Sequence, residues 1–393
     1  MTAIDPTGIA IRNVPFSPPN ITEEEINEVV DTLRTDWITT GPKTKAFEAE
    51  FCAAVDAPAG IAMNSCTAGL HVALATLGLG RGDKVATTTM TFAASVNVIE
   101  HVGATPLLCD VEPDTLNICP KDLERRLTPD VKAIIAVHYA GHPVDLDPIL
   151  AMAKKRGIAI VEDAAHSLPA SYKGKSIGSH GNMTAWSFYA TKNITTCEGG
   201  MLTGDPKLLE RARVLHLHGM SKDAARRYEK GGSWKYEILA PGFKYNLTDV
   251  ASAIGRVQLR RMNDFQKRRN ELVARYNAAF ASMPELETPT VRQEVVTAHH
   301  LYVLRLNLAR LGVDRDEFMR QLADLGITAS VHFIPIHTHP FYRDKYGFQP
   351  NDFPVAYQNF LRMVSLPLYS RMEDADVDHV IASVQHLVAK HRR

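Results

Sequence analysis

The chain is poor in the features that mark several common classes of protein. Its five cysteines, Cys52, Cys66, Cys109, Cys119 and Cys197, are scattered and contain no CxxC pair. Neither a disulfide framework nor a cysteine-based zinc site is therefore written in it, which suits a reducing compartment. Excess charge is absent too, since 44 Lys and Arg balance 44 Asp and Glu. That leaves no electrostatic case for nucleic acid or an anionic membrane as partner. No run approaches the roughly 18 apolar residues of a membrane-spanning helix, and no basic-then-apolar leader opens the chain. The 16 histidines invite a metal hypothesis. Yet His216-Leu217-His218, His299-His300 and the group His332, His337 and His339 have no HExxH or paired Cys/His spacing. The expectation is a soluble, cytoplasmic protein with no metal, no nucleic-acid partner and no membrane insertion.

What is present is an α/β pattern. With 393 residues, 45% hydrophobic and 22% charged, the chain can form two domains around substantial cores. Thr22-Glu23-Glu24-Glu25 is a capping box that predicts a helix to about Arg34. A Gly-Pro interruption follows at Gly41-Pro42, and a helix resumes near Phe47. Short apolar runs then alternate with helical stretches such as 68–79 and 93–101. These runs are 85–88, 106–109, 133–137, 158–161, 185–188 and 201–203. Such alternation predicts a mostly parallel sheet wrapped by helices. The charge-rich stretch from Ser221 to Lys235 reads as a surface loop, and 248–282 as one long helix. The remainder predicts a strand at 301–306, a helix at 315–325, a strand at 329–333 and a final helix from about Asp374. We expect a large domain over residues 1–252, including an N-terminal arm, and a smaller α/β domain over 253–393.

Chemistry concentrates around one lysine. In Trp186-Ser187-Phe188-Tyr189-Ala190-Thr191-Lys192-Asn193 an apolar strand-like run ends at a serine and a lone lysine follows five residues later, before Glu198-Gly199-Gly200. A lone amine held at the end of a rigid element can be kept partly deprotonated by burial, and it can then form a Schiff base with a carbonyl. Upstream, Ile158–Val161 reads as a strand buried on both faces, and it ends in Glu162-Asp163. Asp163 falls at the carboxyl edge, where open α/β sheets bind ligands. A carboxylate there can hold a heteroaromatic ring nitrogen protonated, as pyridoxal phosphate (PLP) requires of its electron sink; it can equally cap a helix. Asn64-Ser65-Cys66-Thr67-Ala68-Gly69 is a small-residue turn opening a helix, whose free N–H groups can cradle a phosphate. Phe92 follows a strand and can stack on a flat ring or join the core. Asn246, entering the long helix, reads most simply as its N-cap.

Asp163-Ala164-Ala165-His166, Ser187-x4-Lys192, Glu198-Gly199-Gly200 and Lys244-Tyr245-Asn246-Leu247 together resemble the DegT/DnrJ/StrS family of PLP-dependent sugar aminotransferases. The match runs in the same order along essentially the whole chain. The resemblance implies the fold type I architecture of aspartate aminotransferase: a large, mostly parallel sheet domain with a smaller C-terminal α/β domain. It also implies roles. Lys192 would bind PLP covalently and move the proton, Asp163 would pair with the ring nitrogen, and His166 would lie beside the ring hydroxyl. Phe92 would stack on the ring, while Cys66, Thr67 and Ser187 would surround the phosphate. Asn246 would reach that phosphate from a neighbouring subunit, which makes a homodimer with shared sites the expected assembly. The substrates implied are a nucleotide-linked 4-keto sugar and L-glutamate, with Thr40, His332 and His337 as candidate sugar contacts. Trp37–Lys43, Val137–Gly141, Leu239–Gly242, His332 and His337-Thr338 are similar to members acting on UDP-4-keto-pentoses, although UDP-4-keto-hexose enzymes share several of these stretches. Dehydrating members carry histidine where this chain has Lys192, so transamination is the implied reaction. Amination of a hexose or at C3, or a PLP-binding regulatory protein, are the other readings.

Overall fold

The short apolar runs of the first half pair into one seven-stranded sheet. In a computed structural model that describes residues 11–221 and 235–393, its strands are β1 (Gly60–Met63), β2 (Lys84–Thr88), β3 (Thr105–Cys109), β4 (Val131–Val137), β5 (Ala159–Asp163), β6 (Met183–Ser187) and β7 (Gly200–Thr203). They lie in the order β1-β7-β6-β5-β4-β2-β3. All neighbouring pairs from β6 to β3 are parallel, and β7 runs antiparallel to both β6 and β1. The central strands are buried along nearly their whole length, which is why they read as continuous apolar runs and not as alternating ones. Strand order reverses between β2 and β4. In open α/β sheets, a ligand crevice forms outside the carboxyl ends at such a point.

Helices cover both faces. Cys66–Thr76 packs so closely that a Cβ on Gly69 would meet the Ala185 Cβ at 3.3 Å. Behind the sheet, Phe47, Phe51, Trp186 and Phe188 form an aromatic cluster with centroids 5.2–6.1 Å apart. The Trp186 indole N–H donates to Thr203 Oγ1, so this buried polar atom is satisfied. The capping box at Thr22 forms, and the helix runs Glu23–Leu33.

A second core lies among Leu272, Tyr276, Phe280, Leu304, Leu306, Phe318, Leu322, Val380, Val384 and Leu387. It packs helices Met262–Phe280, Arg315–Asp324 and Asp374–His391 on an antiparallel sheet of Leu286–Glu287, Tyr302–Leu306 and Met363–Leu366. Val14, from the N-terminal arm, is fully buried in this core and pairs with Ile327.

Three expectations are corrected. The single helix over 248–282 is two, Asp249–Arg260 and Met262–Phe280, because Arg261 adopts φ −93° and ψ 0°. Its guanidinium is tied to Glu25 in the first helix at 2.5 Å. The strand over 329–333 is absent: Ser330 makes only an isolated bridge with Ser365, and His332 and Phe333 turn into a cavity at the edge of the large sheet. Asn246 is not the helix cap, since Thr248 accepts the Ala251 N–H instead. Between Ser221 and Lys235 the expected surface loop lies outside the described residues.

Candidate active site

The carboxyl ends of β2, β4, β5 and β6 open into one cavity of about 630 Å³. Thr91 and Phe92 reach it from the turn after β2, His138 from beyond β4, Asp163 from the last position of β5, and Ser187 from the last position of β6. Lys192 follows in a turn where its N–H donates to the Tyr189 carbonyl. The lining also includes Cys66, Thr67, His166, His300, His332 and Phe333. Eight predicted residues are thus brought together: Cys66, Thr67, Phe92, Asp163, His166, Ser187, Lys192 and His332.

Burial sets the electrostatics. Lys192 keeps some surface through the open cavity, but its amine is enclosed by protein. Desolvation lowers its pKa from 10.5 to about 8, against the opposing pull of Cys66 and Asp163. Burial also pushes the Cys66 thiol well above its ordinary value, so it is neutral at physiological pH and Asp163 is the effective counter-charge. Asp163 is only 5% exposed. Its Oδ1 accepts the Ala165 N–H at 3.1 Å, and its Oδ2 accepts the Ser95 hydroxyl at 2.7 Å. The carboxylate is therefore oriented by turn geometry and a neighbouring helix, and it caps no helix.

The far wall is built of aromatic rings. His166 stacks on Phe333 at 5.8 Å and packs against His300 at 4.3 Å, while His332 stacks on Phe16 at 5.3 Å. Desolvation holds His166 and His300 well below the usual imidazole pKa and His332 at about 4, with the Lys192 charge acting in the same direction. Asn193 fixes one of these rings. Its Nδ2 donates to the Leu168 and Ala298 carbonyls, both at 2.8 Å, so its Oδ1 must accept from His300 Nδ1 at 3.0 Å.

The phosphate-like corner is formed by helix Cys66–Thr76. Ser65 caps it by accepting the Ala68 N–H at 3.1 Å. The N–H groups of Cys66 and Thr67 lie in the first turn, where no intrahelical acceptor exists. Gly200 lets β7 pass against this turn: a Cβ there would lie 2.4 Å from the Ser65 carbonyl carbon and 2.6 Å from the Cys66 nitrogen.

Three predicted residues lie elsewhere. Thr40 and Asn246 meet each other, with Asn246 Nδ2 donating to Thr40 Oγ1 at 2.7 Å and Lys244 bonded to Asn246 Oδ1. Both are partly exposed and neither lines this cavity. His337 is fully buried beside Phe353, with its ring nitrogens engaged by Thr89 Oγ1 at 2.7 Å and the Pro350 carbonyl at 3.2 Å. That is the environment of a core histidine. Conversely, Phe16, Ser17, Ser95, Phe333 and the site position of His300 are missed by sequence reasoning. Phe16 and Ser17 come from a segment with no periodic signal, and Ser17 is anchored to the Thr191 carbonyl at 3.2 Å. His300 is visible in the sequence only as half of a histidine pair. Among the described residues, no group of three or more His, Cys, Asp or Glu could hold a metal ion.

The residues present fit a flat, anionic, carbonyl-bearing cofactor. His166 Nδ1 is buried with no hydrogen-bond partner, and Phe92 leaves 64% of its surface open at the cavity edge. Both are costly features that a bound ring would relieve. An enclosed amine of depressed basicity, opposed by a buried carboxylate and flanked by a helix N-terminus, is an arrangement that suits a PLP-dependent enzyme. The fold is that of the type I enzymes.

The chain belongs to the DegT/DnrJ/EryC1/StrS aminotransferase family, whose model matches residues 19–385. It is therefore a PLP-dependent sugar aminotransferase. It is 48% identical over 377 residues to the spore coat polysaccharide biosynthesis protein SpsC of Bacillus subtilis, covering 95% of this chain and 97% of that one. Among solved structures, the PMP form of Spr1654 from Streptococcus pneumoniae, provisionally assigned as a sugar aminotransferase, superposes with a TM-score of 0.91. It is 38% identical, with 96% of this chain and 100% of that one covered. Helicobacter pylori PseC, an aminotransferase of pseudoaminic acid biosynthesis, gives a TM-score of 0.89 at 25% identity, with 96% and 100% covered.

Proposed function

We propose that this enzyme transfers an amino group from L-glutamate to C4 of a nucleotide-linked 4-keto sugar, giving a 4-amino sugar nucleotide and 2-oxoglutarate. The observation that carries this reading is the convergence of Lys192 and Asp163 in one cavity, with the amine lowered to about 8 by burial. When bound, PLP supplies an electron sink for the carbanion formed at the reacting carbon. Lys192 holds the cofactor and, when its amine is free, carries a proton to C4 of the sugar. Asp163 pairs with the ring nitrogen. His166 lies beside the ring hydroxyl, Phe92 covers the ring, and Cys66, Thr67 and Ser187 hold the phosphate. The N-terminal arm with residues up to 252 forms the cofactor-binding part, and 253–393 the smaller part.

His332, at the cavity wall, is the candidate sugar contact. Thr40 and Asn246 are assigned to the site of a second copy, which Asn246 would enter to reach the phosphate. Their partial exposure supports this homodimer, as do the exposed apolar residues of the flanking segments, Trp37, Ile38, Ile238 and Leu239. We place the enzyme in the cytoplasm, acting for polysaccharide or lipid A assembly. The name of the B. subtilis relative supports the polysaccharide route. A UDP-4-keto-pentose is our first candidate substrate, on the stretches Trp37–Lys43 and Val137–Gly141, with a UDP- or dTDP-linked keto-hexose as the competitor.

The test is a half-reaction screen. The aminated protein, prepared with L-glutamate, is titrated with UDP- and dTDP-linked 4-keto pentoses and hexoses while the visible absorbance of the lysine-bound cofactor is followed. Return of that absorbance with one class identifies the substrate. No return with any keto sugar overturns the proposal.

A further inference from the structure

Two buried hydroxyls stand in line beside Asp163, that of Thr91 at the cavity wall and that of Ser95 behind it. Ser95, on the helix Ala94–His101, is 1% exposed and donates to Asp163 Oδ2 at 2.7 Å. Thr91, 2% exposed, lies 2.8 Å from Ser95 Oγ through its own hydroxyl. Oxygen-to-oxygen distance alone leaves the direction of that second bond open, but proton counting closes it. Ser95 has one hydroxyl hydrogen, and the carboxylate, with no hydrogen of its own, takes it. Ser95 must therefore accept from Thr91. The result is a one-way chain, Thr91 to Ser95 to Asp163, in which each hydroxyl polarises the next.

We propose that Ser95, supported by Thr91, is a positioning residue that holds the negative charge on Asp163 and thereby the proton on the ring nitrogen of the cofactor. This rests on the PLP reading of the site. In a buried pair of carboxylate and pyridine, the shared proton can lie on either partner. The ion pair keeps it on the ring nitrogen, and the neutral pair moves it to the carboxyl. Donors to the carboxylate favour its charged form. The Ala165 N–H supplies one donor at 3.1 Å and Ser95 the other. Cys66 Sγ, 3.8 Å from Oδ1, is a weak one. Without Ser95 the charged pair loses its shortest bond, so the ring nitrogen loses part of its proton and the cofactor part of its electron sink. No atom is transferred to or from Ser95.

The test compares two probes, PLP and its analogue with a ring CH in place of the nitrogen, titrated against the apo forms of the wild type, Ser95→Ala, Thr91→Val and Asp163→Asn. Only PLP can exchange a proton with Asp163. Wild type should prefer PLP, and Asp163→Asn, whose amide can only donate a hydrogen bond to the ring nitrogen, should cut the preference sharply. Ser95→Ala should cut the ratio of the two affinities by about ten-fold or more, ten-fold being the lower end of what a hydrogen bond to a charged group is worth. Thr91→Val should move it the same way by less, and it carries the test if Ser95→Ala does not fold. Equal weakening of both probes, or no change in either, would mean that Ser95 only fills space, and the proposal falls. A wild type that binds neither probe would refute the PLP reading itself.

Discussion

Replacing Lys192 by methionine should make the apo protein more stable, and more so at low pH than at high. Desolvation of the enclosed amine lowers its pKa from the ordinary 10.5 to about 8. At about 1.4 kcal/mol per pH unit, that difference amounts to about 3 kcal/mol against the charged form. Proton counting gives the sign. Between about pH 8 and 10.5 the unfolded chain holds a proton on this lysine that the folded chain has released. Folding stability therefore rises with pH across that window, and below it the full penalty is in place. Methionine fills much of the same volume with no charge to desolvate. Contact between Lys192 and the open cavity discounts the gain, so Lys192→Met should gain about 2–3 kcal/mol at pH 7. The gap should shrink towards zero near the ordinary lysine pKa. Urea unfolding of both apo proteins at several pH values and one fixed protein concentration measures it. A pH-independent gap, or one under about 1 kcal/mol at pH 7, would show that the amine is solvated, and the case for its nucleophilicity would fail with it.

Gly200→Ala should weaken PLP affinity and cost about 1–3 kcal/mol of stability, because the new Cβ meets the Ser65 and Cys66 backbone and must displace the first turn. Equilibrium cofactor titration alongside denaturation reads both effects. Glu162→Gln should cost about 1–3 kcal/mol. His138 Nδ1 accepts the Val144 N–H, so Nε2 donates to Glu162 at 2.9 Å while Asn182 donates to its other oxygen at 2.8 Å. A carboxamide therefore leaves a donor facing a donor. Burial opposes ionisation of Glu162, but these bonds outweigh it and hold the carboxyl below its ordinary 4.5. The stability it contributes is thus present above that pH and lost on acidification, so the gap between wild type and Glu162→Gln should close as pH falls. Asn246→Ala and Lys192→Ala chains, each inactive alone, should regain activity when mixed and reassembled, since a hybrid dimer contains one intact site. Absence of complementation refutes the shared-site assignment.

How far the site can be read from sequence depends on how locally each residue's role is encoded. Asp163 and Lys192 are legible because one ends a strand and the other follows one by five residues: a buried strand is a short apolar run, and the chain leaving it lies at the carboxyl edge. Cys66 and Thr67 are legible for the same reason at a helix start. Ser95 is not, because a serine in an amphipathic helix pattern gives no sign of whether it faces water or a carboxylate 68 positions away. Phe16 needs a contact with His332 across the whole chain, and no local period reports that. The strand expected at 329–333 fails for a related reason. The alternation there sorts no faces of a sheet: Val331, His332 and Phe333, consecutive in sequence, all line the cavity, and only the Ser330–Ser365 bridge is formed. The adjoining strand Met363–Leu366 is four residues long and stops at a proline, too short to show a period. Asn246 shows the limit most clearly. A polar residue two positions before a helix is a reasonable cap from sequence, yet the next hydroxyl, Thr248, takes that task and leaves Asn246 beside Thr40. Bonded instead to Thr40 and Lys244 and kept out of its own chain's cavity, Asn246 would have to exchange these bonds to act on another copy, and the mixing experiment tests that directly.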